Sequence, residues 1–170
     1  EKGILPDTTQ CLGSYVFLWG QKQERTPTWY GLFLENGAET EIIDVMHYFW
    51  TGQWPENRCP RLSDISLQGQ NRYDNIHLKP DQEVKLKFTA KDPDKDALRI
   101  EAELLPESTE LGEGGDYEAR PEEIPGLIIS QNQDGILFKT PQKSGAYRVF
   151  VYILDGHNNS ATANVPFYVN

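Results

Sequence analysis

The apolar positions of the chain follow two different rhythms. From residue 61 onward they alternate with polar ones in short runs. The clearest is Glu83-Val84-Lys85-Leu86-Lys87-Phe88-Thr89-Ala90, where Val84, Leu86 and Phe88 share one face and Lys85 and Lys87 the other. The run from Arg99 to Leu104 alternates in the same way. Strands are predicted near residues 64–67, 76–78, 83–90, 98–104, 126–130, 136–139, 147–154 and 161–169, separated by Gly, Pro, Asn and Asp. Seven or eight short strands with turn signals between them predict an antiparallel β-sandwich.

Before residue 61 the rhythm differs. Residues 12–19 (LGSYVFLW) are apolar on both faces, which predicts a strand covered on both sides. A loop over 21–36 carries the segment QKQERTPTWY. Ile42, Val45, Met46 and Phe49 then fall at i, i+3, i+4 and i+7, so a helix is predicted over 41–50. Thr40 stands at its N-cap, Glu39, Glu41 and Asp44 lie near the positive end of its dipole, and Gly52 and Pro55 stop it. All four tryptophans (Trp19, Trp29, Trp50, Trp54) precede residue 55. Pro55 and Pro60 bracket a polar stretch, which places a boundary between a first unit, 1–58, and a second, 59–170. One strand and one helix leave much apolar surface uncovered, so the first unit is expected to sit against neighbours. The fold class expected is mainly β: a sandwich preceded by a small strand–loop–helix segment.

Composition narrows the function. The net charge of −10 disfavours nucleic acid and anionic lipid as partners, and no apolar run is long enough to insert in a membrane. Two cysteines, Cys11 and Cys59, are too few for a disulfide scaffold or a zinc site. His47, His77 and His157 have no nucleophile motif beside them. Glu24 is the one acid of QKQERTPTWY, whereas glycoside hydrolysis needs two facing acids. Glu24 and Arg25 therefore read first as a loop-bracing pair.

Ser144-Gly145-Ala146-Tyr147 resembles the Gly-x-Tyr of the immunoglobulin-like tyrosine corner. Asp92-Pro93-Asp94-Lys95-Asp96-Ala97-Leu98 resembles the D-x-D-x-D-x-L turn of cadherin-like and PKD-like modules. The resemblance implies an immunoglobulin-like sandwich of the kind found at the C-terminal ends of secreted bacterial polysaccharide-degrading enzymes. Residues 11–20 (CLGSYVFLWG) and 41–50 are similar to the last strand and helix of a (β/α)₈-barrel glycoside hydrolase. That resemblance implies a non-catalytic C-terminal portion, because the catalytic carboxylates of such barrels follow strands outside this chain. It implies a missing N-terminal barrel of the same parent chain as partner, and a secreted, periplasmic or cell-surface location. It also puts Trp19 at the floor of a sugar subsite, with Glu24, Arg25, Trp29 and Tyr30 on the catalytic face, the substrate being polysaccharide or a cell-surface glycan. The alternative for these aromatics is packing. Trp50 and Trp54 are expected to pack at the helix end. A stand-alone extracellular binding or adhesion module is the other functional reading.

No cofactor is required, but Ca²⁺ is a candidate ligand of Asp92, Asp94, Asp96 and Asp155, against ordinary turn chemistry. In a barrel Cys11 and Cys59 would meet at the bottom face and form a disulfide; two unpaired thiols are the alternative. The acid-rich stretch 107–123 reads as a solvated loop, and Asn158-Asn159-Ser160 fits a glycosylation sequon.

Overall fold

A computed structural model describes residues 6–110, 112 and 115–170. Among the described residues, nine strands and one helix run in the order β1 (Glu39–Thr40), α1 (Glu41–Thr51), β2 (Arg61–Leu67), β3 (His77–Leu78), β4 (Glu83–Lys91), β5 (Arg99–Pro106), β6 (Ile128–Asn132), β7 (Gly135–Lys139), β8 (Gly145–Leu154) and β9 (Asn159–Val169). They form two sheets. One has the order β2-β4-β7-β6; the other is β1-β9-β8-β5, with β3 also pairing β9. The β4–β7, β5–β8 and β8–β9 pairs are antiparallel, while β1 and β3 each lie parallel to β9. With β2, β4, β7 and β6 as strands A, B, E and D, and β5, β8 and β9 as C, F and G, this is the immunoglobulin arrangement. The alternating positions earn their place here: Val84 and Leu86 are buried while Lys85 and Lys87 are exposed. Phe138 and Phe167 meet across the sheets with ring centroids 5.9 Å apart, among Leu67, Ile136, Val149, Val151 and Val165.

The tyrosine corner is present as chemistry. Tyr147, at the start of β8, donates its hydroxyl to the carbonyl of Lys143 at 2.7 Å, and its ring lies over Gly145. Gly135 is a position only glycine fills. Its φ is 126°, and a Cβ there would come within 2.3 Å of the Leu86 carbonyl oxygen on β4.

The first unit departs from expectation. Residues 12–19 form no strand; Leu12 and Tyr15 are fully exposed and Phe17 nearly so. A strand needs a neighbour for its backbone hydrogen bonds, and neither sheet pairs with this stretch. The helix is where periodicity puts it, but its predicted apolar stripe is not buried. Asp44 is its one buried residue, and Ile42 and Phe49 are exposed. Thr40 occupies the N-cap without capping: its hydroxyl donates to the Leu32 carbonyl at 3.0 Å. Gly52 closes the helix in the left-handed conformation, donating its N–H to Tyr48. From Leu32 onward the segment docks on the sandwich. Leu34 and Ala38 pack on Leu154, and β1 adds to the edge of β9.

Candidate functional site

The immunoglobulin arrangement brings the β4–β5 turn and the β8–β9 turn to the same end of the sandwich, beside the linker that enters β2. Carboxylate oxygens of Asp92, Asp96 and Asp155 lie there within 4.8 Å of one another. Asp92 Oδ1 accepts the N–H groups of Asp94 (2.8 Å) and Asp96 (3.1 Å), which folds the turn inward. Asp155, almost wholly buried, accepts the N–H groups of His157 (2.7 Å) and Asn159 (3.1 Å). Two amides complete the cluster: Asn57 donates to Asp96 at 2.5 Å, and Asn159 donates to Asp155 Oδ2 at 3.0 Å and to Asn57 Oδ1. Asp92 Oδ2 is buried without a hydrogen-bond partner. Ca²⁺ takes oxygen donors at about 2.3–2.6 Å, so ligands on opposite sides of the ion are about 5 Å apart. The spread of the three carboxylates and the orphan oxygen both fit that ion. Asp94 does not belong to the set: it turns away to accept the N–H of Arg58 at 2.7 Å.

The aromatic residues form a second feature. Phe17 leans on Tyr30 (5.1 Å), which leans on Trp29 (6.0 Å), while Trp19 meets Phe33 edge-on (5.6 Å) and stacks with Trp50 (6.0 Å). These contacts join rings to each other but leave them wet. Trp19 is 60% exposed, Trp29 62% and Trp50 65%. Taking about 200 Å² per ring, Tyr15, Phe17, Trp19, Trp29 and Trp50 together expose about 700 Å², and the ring contacts divide into Phe17–Tyr30–Trp29 and Phe33–Trp19–Trp50. Of the two tryptophans expected to pack at the helix end, Trp50 stays mostly exposed against Trp19, while Trp54 does pack there. Trp54, 43% exposed, stacks on Tyr48 at 4.6 Å and carries the guanidinium of Arg58 at 3.9 Å.

Glu24 and Arg25 do not brace each other. Glu24 pairs with Lys22 at 3.1 Å, and the exposed Arg25 stands at φ 59°. Reciprocal backbone bonds between Glu24 and Thr26 close a tight reversal around it. Glu118, from the acid-rich stretch, reaches this turn, so that stretch is not simply solvated: Glu118 is 4% exposed and accepts from Arg25 N–H (2.8 Å), the Ser108 hydroxyl (2.8 Å) and the Gln23 amide (3.4 Å). Burial alone would raise its carboxyl, but these bonds outweigh it and hold the group below the ordinary glutamate range. Two residues on, Arg120 bridges Glu35 (3.2 Å) and Glu103, which also takes the hydroxyl of Tyr152. Burial and the Glu103 charge push that tyrosine hydroxyl up. Among the acid-rich residues, Glu113 lies outside the described residues.

The cysteines are not joined. Cys11 lies near its own loop, its thiol toward the Gly13 carbonyl, whereas Cys59 is buried with its thiol toward the Glu39 carbonyl. Burial and the nearby Asp44 charge push the Cys59 thiol up, so it is inert as a nucleophile. Burial likewise raises Asp44, whose Oδ2 accepts the Cys59 N–H at 2.8 Å. No helix among the described residues is long and apolar enough to cross a membrane. No protein-family model matches the chain, and no curated protein matches it.

Proposed function

We infer that this chain is the non-catalytic C-terminal portion of a secreted bacterial carbohydrate-active enzyme, a glycoside hydrolase, with residues 59–170 its accessory sandwich. The stretch before Leu32 belongs with the barrel of the same parent, which covers the aromatic face and shares Trp19, Trp29 and Tyr30 with the sugar site, while residues 32–58 link it to the sandwich. The observation that carries this reading is the wet aromatic surface over residues 15–50, beside a sandwich whose own core is closed. The exposed area summed over these aromatics is comparable to one side of a standard protein interface, about 800 Å². The test compares the isolated chain with the longer polypeptide its gene encodes, on a panel of soluble polysaccharides. The longer protein hydrolyses a glycan and the isolated chain does not; hydrolysis by the chain alone overturns the reading.

A second reading, a stand-alone extracellular adhesion module that uses Ca²⁺, is favoured by one observation: the convergence of Asp92, Asp96 and Asp155 at the end where the linker enters. A Ca²⁺-dependent association of the isolated chain with itself or with cells supports it, and association indifferent to chelation counts against it.

A further inference from the structure

We propose that residues 117–123 form a strap that locks the aromatic loop, with Glu118 the positioning residue that holds Arg25 and its neighbours in their displayed conformation. The inference deepens the reading of that loop as a recognition surface and rests on it.

The loop's shape is costly for its sequence. Arg25 is an L-residue with a side chain at positive φ, a conformation that lone glycines adopt freely and arginine does not. The bonds between Glu24 and Thr26 leave the Arg25 N–H pointing outward from the reversal, with no local acceptor. Glu118 supplies one from 93 residues away. A buried carboxylate with three donors on one oxygen is a strong, directional clamp. Thr26 precedes Pro27, which restricts it to extended backbone, so the strain concentrates on Arg25. Residues 118 and 120 lie two apart in the chain, and both reach the same loop with opposite charge: Glu118 takes the 23–25 turn, and Arg120 takes Glu35 at the loop's far end. Arg120 is in turn fixed to the sandwich through Glu103 on β5. The loop between these hooks carries Trp29 and Tyr30. A cleft of about 360 Å³ lies under it, lined by Pro27, Leu34, Glu103, Arg120 and Tyr152, so the loop has room to move once released.

The test is amide hydrogen exchange read by mass spectrometry on wild type, Glu118→Ala, Glu118→Gln and the exposed control Glu122→Ala. In Glu118→Ala, peptides covering 21–30 exchange about tenfold faster or more, while peptides from β4 and β8 are unchanged. Glu118→Gln keeps the acceptor oxygen and recovers most of the protection; Glu122→Ala matches wild type. Unchanged exchange at 21–30 in Glu118→Ala overturns the proposal. So does equal loosening of β4 and β8, which would make Glu118 a general stability residue. Native gels cast with each soluble polysaccharide test the recognition reading separately. If no glycan retards the wild-type chain that reading fails, while the strap is still judged by exchange alone.

Discussion

Calcium should stiffen the protein measurably. At 4.8 Å, two unit charges repel by about 3 kcal/mol with an effective dielectric of about 20, and the cluster contains three such pairs. The N–H groups of Asp94, Asp96, His157 and Asn159 offset part of that cost, but Asp92 Oδ2 faces it without a donor. A divalent ion at the centre turns the repulsion into attraction. Extracellular Ca²⁺ modules have Kd values of about 10⁻⁴–10⁻³ M. About 10 mM CaCl₂ then adds about 1.4–2.7 kcal/mol to the folded state by mass action. For a chain of this length that is a rise in Tm of about 3–10 °C. The assay is thermal unfolding in CaCl₂, in EDTA and in an ionic-strength-matched KCl control, on wild type and Asp155→Asn. The wild type shifts and the variant does not. No shift beyond the KCl control, or the same shift in Asp155→Asn, refutes the argument. Mg²⁺ should do less, because it demands tighter octahedral geometry than three carboxylates on two turns supply.

Other perturbations test the frame around the site. Tyr147→Phe removes the hydroxyl that closes the corner on the exposed Lys143, so urea unfolding should show a loss of about 0.5–1.5 kcal/mol. Gly135→Ala forces a Cβ into the Leu86 carbonyl at positive φ and should cost about 3 kcal/mol or more, whereas Gly69→Ala, which meets no neighbour, should cost less. Because the folded state holds the Glu118 carboxyl below its unfolded value, the clasp contributes fully above the ordinary glutamate range, about pH 4.3, and is lost as pH falls through the lower folded value. Near-UV circular dichroism of the tryptophans should be flat from neutral pH to that point and change below it; a change centred near pH 6 contradicts the assignment.

The sandwich was legible because alternation reports burial directly: a strand between a core and water must show one face of each kind, as Val84 to Lys87 do. Gly145 and Tyr147 were legible for the same local reason, since the corner is closed by a residue four positions away. The carboxylate turn was readable in part. The turn pattern named Asp92, Asp94, Asp96 and Asp155, but it could not tell that Arg58 draws Asp94 aside or that Asn57 and Asn159 join the cluster. Arg58 and Asn57 reach the turn from 36 and 39 residues away, and nothing local marks them, whereas Asn159 stands four residues after Asp155. Glu118 was hidden by its company, because a run of acids looks solvated on average even when one of them is buried. Residues 12–19 misled in the opposite direction. An apolar run states what a segment would bury, not whether a neighbour lies within reach.

The two short parallel strands have a consequence for solubility. The terminal strand of a sheet offers a row of free amides and carbonyls on which another chain can assemble. Here β1 occupies that row at Asn159 and Ser160, β3 occupies it at Tyr168 and Val169, and Pro166 between them has no amide to give. Trimming the chain back past residue 40 would therefore expose more than a helix. It would uncover the upper part of β9 and invite edge-to-edge stacking, so a shortened sandwich kept for study should begin before Glu39.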